Sequence, residues 1–368
     1  MSSIVTEILP STDDSLDLAA DLLLDGQIVA VPTETVYGLA GLANRNDSLQ
    51  QIFKVKGRPE INPLIIHVDL RYKTIYDLDA AGIINSSLLS QQAKEVSEEL
   101  LKLFWPGPLT LIFPKGPKIS LVATAQGPTV AIRQSSHAVF QRLLAKISIP
   151  LAAPSANQSN RISPTSAQDV MDELYGKIKI ILDGGLCTVG VESTILQVLP
   201  SGEIKELRPG GLAGDLLLNK GFKFHSSRKI SPHEPIYIIS PGQLPVHYSP
   251  NKPLLMIQPE ILEFDDLINY LKLKVDIKTD STLKIAIIRY QSRWTPIWQK
   301  LLTHYSHWSW YPFDVSLRDN ATRTAAELFS LMRKADQSPA DIILIESPPQ
   351  EGTDLWPAVK DRLKRASK

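Results

Sequence analysis

Apolar residues at Leu16, Ala19, Ala20 and Leu23 recur at helical spacing, and Asp25-Gly26 ends that segment. Ile28 to Val31 is a short apolar run, read as a strand, and Pro32 stops it. Asp47 is placed to cap a helix that carries Leu49, Ile52 and Phe53 on one face. In residues 63–68 Leu64, Ile66 and Val68 alternate with Ile65 and His67, so the histidine shares a strand face with Ile65. A long helix over residues 87–104 ends at Trp105-Pro106-Gly107-Pro108. Further strands are expected at 109–113, 129–134, 149–153, 178–182 and 193–198. Together they predict a mixed α/β domain over residues 12–214.

Periodicity fades from about Gly221 to Pro253, where SPHEP, SPGQLP and YSPNKP crowd together. Such proline density predicts an extended, semi-rigid connection, assigned to residues 215–253. A second alternation follows over 254–368. Strands are expected at 254–257, 284–289, 308–313 and 341–346, and helices at 259–273, 296–304, 321–335 and 356–366. That order predicts a small parallel, doubly wound sheet.

Composition changes this picture little. With 368 residues and equal numbers of acidic and basic side chains, the chain has room for two cores and carries no general nucleic-acid footprint. The single cysteine, Cys187, excludes an internal disulfide and a cysteine-built zinc site. No apolar run approaches a membrane span, and the first residues show no secretory pattern, so a cytoplasmic protein without a membrane partner is expected. The basic tail KDRLKRASK reads as a solvated helix end. There is no GxxxxGK[ST] P-loop, no GxGxxG after a strand, no HExxH and no GxSxG. His304 and His307 sit among aromatics and read as packing or surface placement rather than metal binding.

The chemistry-bearing residues gather where strands end. Thr33, Glu34, Thr35 and Tyr37 follow the 28–31 run, and Gly38 is read as letting the backbone turn back. Lys54, Lys56 and Arg58 surround Gly57 and precede Asn62 and His67. Cations at a helix end match its dipole, but on a bend they also suit an anion. Ser155, Asn157, Ser163 and Thr165 follow an apolar strand. They suit a helix cap at Ser163 or Thr165, or a cradle for phosphate. Glu192, Ser193 and Thr194 lie in GVEST, and Arg208 lies in LRPGG.

Each cluster is weak alone; their order is informative. PTETVYGL, KVKGRPEINPLIIHV, WPGPLTLI, TVAIR, APSAN, SPT, GVESTI and LRPGG, spread over residues 28–211, resemble the YrdC-type L-threonylcarbamoyladenylate synthases. The continuation through SPGQLPVHYSP resembles their long, two-domain form. The resemblance implies a twisted mixed-sheet α/β domain of the DHBP synthase-like kind with a concave cavity, followed by a Rossmann-like parallel α/β domain. It implies an enzyme, a nucleotidyltransferase that makes threonylcarbamoyl-AMP from L-threonine, bicarbonate and ATP and releases pyrophosphate. A downstream transferase then modifies adenosine in ANN-decoding tRNAs.

By the same motifs, threonine is expected at Thr35, His67, Arg133, Ser155 and Ser193. ATP is expected at Arg58, Asn62, Thr129, Asn157, Thr165, Arg208, His247 and Tyr248. Lys56 and Arg58 are the implied catalytic cations, and Mg²⁺ is implied as ATP's companion, with no metal site built by the protein. The linker is implied as a lid. Two departures stand out: Gln243-Leu244-Pro245-Val246 lacks the usual basic approach to His247-Tyr248, and Asn160 replaces a usual glycine. The rival reading is an RNA-binding or assembly factor using the same concave surface. RNA binding is compatible with the synthase but is not required by it.

Overall fold

The structure is a computed structural model that describes residues 4–225, 247–258, 269, 271, 282–349 and 352–367. All but two residues of the expected helix at 259–273 and most of the candidate lid, residues 226–246, lie outside the described residues. The chain separates into two compact units. The first is Met1–Ser159 with Ser163–Leu244; the second is Asn160–Ile162 with Pro245–Lys368.

The first unit opens with β1 (Glu7–Pro10), α1 (Asp13–Leu24), β2 (Val29–Val31), β3 (Gly38–Leu42), α2 (Asn46–Lys56), β4 (Ile65–His67), α3 (Ile75–Ala80) and α4 (Gln91–Phe104). It continues with β5 (Leu109–Pro114), β6 (Thr129–Arg133), α5 (Ala138–Ile147), β7 (Leu151–Ala152), α6 (Ala167–Leu174), β8 (Ile180–Asp183), β9 (Thr194–Val198), β10 (Ile204–Arg208) and α7 (Gly214–Asn219). The strands form one ten-stranded mixed sheet, ordered β1-β8-β2-β3-β7-β4-β6-β5-β9-β10.

One face of this sheet packs Ile66, Leu111 and Ile132 against residues of α2, α4 and α6, including Ile52, Leu100 and Val170. On the other, Val29, Ala40 and Leu151 meet Leu16 and Leu23 of α1 and Phe140 and Leu144 of α5. Further along that second face, Ile65, Ala131, Ile112 and Ile195 form a small apolar patch.

Several local expectations are corrected. Arg45, not Asp47, is the N-cap of α2; Asp47 instead accepts the Ser48 N–H and pairs with Arg45. The helix expected from residue 87 is interrupted. Ser86–Leu88 forms a single 3-10 turn, and α4 starts anew after the Ser90 cap, whose hydroxyl accepts the Ala93 N–H. Neither Ser163 nor Thr165 caps α6. Ser166 does, in a reciprocal box with Asp169. Gly38 keeps its expected place, just after the chain turns back, and its missing side chain serves a close approach. It begins β3, opposite Val31, where a Cβ would sit 3.1 Å from that of Ala153. The close approach lets Leu39 N–H reach the Pro154 carbonyl at 2.7 Å.

The second unit contains β11 (Leu254–Ile257), β12 (Lys284–Arg289), α8 (Thr295–His304), β13 (Ser309–Asp314), α9 (Ala321–Gln337), β14 (Ile342–Glu346) and α10 (Trp356–Ala366). Its sheet is all parallel, ordered β11-β14-β12-β13. Trp294, Trp298, Leu301 and Tyr305 pack with Ile285, Ile287 and Leu344 in its core. His304 and His307 lie edge-on to Tyr305 and Trp308. The basic tail is not simply solvated: Arg362 of α10 is fully buried. Among the described residues, no helix is long and apolar enough to cross a membrane.

Candidate active site

Sheet register builds the site. His67 in β4 is paired with Arg133 in β6, and Arg133 with Thr110 in β5. Directly paired residues share a face. Each lies two residues beyond a member of the Ile65, Ala131, Ile112 patch, so a polar row follows an apolar one on the same surface. Ser193, two residues before Ile195, joins the row through a 2.7 Å hydroxyl contact with Thr110. Arg208 fixes that end by donating to the Ser193 carbonyl at 2.9 and 3.1 Å and to its Oγ at 3.1 Å.

The β2–β3 connection closes over this row. Thr33 Oγ1 accepts the N–H groups of Thr35 and Val36 at 3.1 Å each and donates to the Val36 carbonyl at 2.6 Å. Tyr37 is wholly buried and donates to the Gly185 carbonyl at 2.8 Å. Burial pushes its phenol pKa up, so it acts as a hydrogen-bonding strut. The turn is therefore held by Thr33 and Tyr37, which leaves Thr35 and Glu34 for Arg133. Arg133 donates from Nη1 to Thr35 Oγ1 at 2.8 Å and from Nε to the Gly107 carbonyl at 3.3 Å. Its Nη2 stands 2.8 Å from Glu34 Oε1, and both side chains are buried. Ser135 donates to Glu34 Oε2. Burial pushes the Glu34 carboxyl up. The Arg133 charge and the hydrogen bond from Ser135 outweigh burial and hold it below its usual range.

His67 lies 5.1 Å from the Phe140 ring, and its Nδ1 is buried without a hydrogen-bond partner. Burial first, then the Arg133 charge, lowers its pKa from 6.5 to about 3. The imidazole is thus neutral and able to take part in substrate contact without carrying charge. The unfolded chain binds this proton below about pH 6.5 and the folded chain does not, so acid favours unfolding. We expect wild-type stability to fall as pH drops from 6.5 toward 3, and His67→Asn to remove part of that slope in urea titrations. An unchanged slope would show that His67 is not held neutral.

A second group gathers at the β7–α6 loop. Lys56 is buried at the end of α2, where Gly57 ends the helix in a left-handed conformation. Its Nζ donates to the carbonyls of Ser155 and Asn157 at 2.5 Å each. Burial, then the neighbouring Arg58 charge, pulls its pKa well below the ordinary value, against the opposing Glu173 charge. Arg58 donates from Nε to the Asn62 carbonyl at 3.1 Å and from Nη2 to that of Pro63 at 2.8 Å. Asn62 Oδ1 is buried with no hydrogen-bond partner. Buried polar atoms of this kind are rare without a ligand or water to satisfy them.

The expected residues are not all gathered together. Thr35, His67, Arg133 and Ser193 lie around one sheet row, and Lys56, Ser155 and Asn157 around one loop. Thr165 sits on Asp169, whose carboxylate accepts its N–H at 2.8 Å and its hydroxyl at 3.1 Å. Thr129 begins β6, four residues or ~13 Å of strand from Arg133. His247 and Tyr248 belong to the second unit. There Tyr248 stacks on Phe329, and the Arg362 guanidinium lies 5.5 Å over its ring. Thr110, Ser135 and Glu34 complete the site although sequence reasoning assigned them no ligand. For Thr110 the signal was a hydroxyl between Leu109 and Leu111 in a buried strand.

The Sua5–YciO–YrdC family, described as "Telomere recombination", matches residues 21–210. The C-terminal domain of threonylcarbamoyl-AMP synthase matches residues 203–368. The threonylcarbamoyl-AMP synthase of Pyrococcus abyssi is 34% identical over 358 residues, covering 95% of this chain and 93% of the relative. The chain belongs to the threonylcarbamoyl-AMP synthase family. The Bacillus subtilis member is 33% identical, with 99% of this chain and 96% of the relative covered. The crystal structure of P. abyssi Sua5 complexed with L-threonine is similar at a TM-score of 0.74 and 31% identity, over 98% of both chains. Such coverage extends the threonylcarbamoyl-AMP synthase likeness over both units.

Proposed function

We propose that the first unit condenses L-threonine, bicarbonate and ATP into threonylcarbamoyl-AMP, releasing pyrophosphate. The observation that carries this reading is the buried row of Arg133, Thr35, His67 and Ser193. It offers a planar cation for a carboxylate, with hydroxyls and a neutral imidazole for a small polar side chain. Threonine fits these groups, and the threonine-bound Sua5 relative supports the assignment. A site that hydrogen-bonds the threonine hydroxyl rejects valine strongly, whereas the missing methyl of serine is worth only ~1–3 kcal/mol.

In this reading the threonine amine attacks the bicarbonate carbon, and water departs to leave a carbamate. A carbamate oxygen then attacks the α-phosphorus, and pyrophosphate is the leaving group. Charge grows on the phosphoryl oxygens. Lys56 and Arg58 are the proposed stabilisers, with Asn62, Thr129, Asn157, Thr165 and Arg208 assigned to ATP. Two of the three Lys56 N–H groups are taken by carbonyls, which leaves one for phosphate. Ser155 completes the threonine side.

Mg²⁺ is assigned to the triphosphate, where it would neutralise charge. Among the described residues no group of three His, Cys, Asp or Glu side chains is placed to hold a metal. His247 and Tyr248 are assigned to the nucleotide by the family motif, and the second unit is read as Rossmann-like. The product is assigned to a downstream transferase acting on tRNA, in the cytoplasm, with no RNA needed for the synthase step. Pyrophosphate release by the purified chain should require both threonine and bicarbonate. Release indifferent to threonine, together with salt-sensitive tRNA binding, would favour the RNA-binding reading instead.

A further inference from the structure

Glu34 Oε1 and Arg133 Nη2 are buried 2.8 Å apart, yet neither completes a hydrogen bond. Their charges face each other while the angle a hydrogen bond needs is missing. The other atoms of both groups are engaged: Oε2 by Ser135, Nη1 by Thr35 and Nε by Gly107. An anionic acceptor and a cationic donor are thus left side by side. Nor does the turn need the Glu34 side chain, since Thr33 and Tyr37 hold it. An α-amino acid carries an ammonium and a carboxylate on one carbon, which is the charge complement of this pair.

We propose that Glu34 receives the α-ammonium of threonine while Arg133 receives its carboxylate. Glu34 is then a specificity-determining residue that orients the nitrogen; the ammonium gives up one proton to solvent, and the freed lone pair attacks bicarbonate. This rests on reading Arg133 as the carboxylate fork.

The test is calorimetric titration of the full chain with L-threonine, with 2,3-dihydroxybutanoate, which lacks the amine, and with 1-amino-2-propanol, which lacks the carboxylate. Hydrogen bonds to charged groups suggest that wild type prefers threonine to the amine-free acid by about 10- to 100-fold. Glu34→Gln should weaken threonine by that factor, leave the amine-free acid within about 3-fold and so close the gap. Glu34→Asp should keep part of the preference. If Glu34→Gln weakens both acids equally, Glu34 only steadies Arg133 and the proposal is wrong. Equal wild-type affinity for threonine and the amine-free acid also overturns it, whether or not any variant folds. If instead 1-amino-2-propanol binds as well as threonine, the carboxylate-fork reading fails and takes this proposal with it.

Discussion

Lys56→Met should lower kcat by about 10²–10³-fold, the size of effect seen when one preorganised donor to developing charge is removed. The substitution keeps an unbranched four-atom stem and deletes the ammonium. Threonine affinity should stay within about 3-fold, since Lys56 bonds the loop carbonyls of Ser155 and Asn157 rather than the side chains of the Arg133 row. Those carbonyls lose their donor, at a cost of about 1–3 kcal/mol each if they remain dry. Circular dichroism and a melting curve must therefore accompany the rate. A folded Lys56→Met protein that releases pyrophosphate at the wild-type rate would remove Lys56 from the mechanism.

Arg133→Leu should both destabilise the fold and abolish threonine binding. The side chains of Arg133 and Glu34 are only 4% and 6% exposed, so deleting the cation strands a carboxylate in the interior. Breaking such a pair costs about 3–5 kcal/mol, whereas replacing both members by apolar residues is often neutral. The Glu34→Leu, Arg133→Leu double variant should accordingly recover most of the lost stability but none of the threonine affinity. That split separates the structural work of the pair from its binding work. Single and double variants of equal stability, or Arg133→Leu titrating with threonine like wild type, would contradict the assignment.

Much of this fold is legible where pattern and environment agree. Ile65 to His67 alternates because one side faces a core and the other the site, and the sequence shows that alternation directly. The parallel strands of the second unit are apolar runs between helices, and α10 spans residues 356–366 as its periodicity predicts. The strand β3 is hidden because Gly38-Leu39-Ala40-Gly41-Leu42 lacks β-branched residues. Gly41 lies where a Cβ would meet Ser48 Oγ at 2.7 Å, so small size, rather than strand propensity, selects it. No helix is anticipated at Ala138–Ile147, although Phe140, Leu143, Leu144 and Ile147 have helical spacing and are all buried. In the site, Arg133 and His67 stand out as polar residues in apolar strands. The pairing of Glu34 with Arg133 does not, because it joins positions 99 residues apart and depends on strand order. Tertiary placement also decides Arg362, whose burial against Tyr248 no local charge pattern announces.

The register that aligns His67, Arg133 and Thr110 has a consequence for how this chain can vary. Three strands with long intervening segments contribute one side chain each to a common line, and every strand alternates faces with a period of two. Lengthening a connecting loop leaves that line intact. A single-residue insertion inside β4, β5 or β6 that shifts the pairing by one step turns the contributed group into the opposite core and brings an isoleucine or leucine forward. The site therefore behaves as a combination lock of three discs: sequence drift around it is tolerated by whole loops, while the strands between them can change residues but not their count.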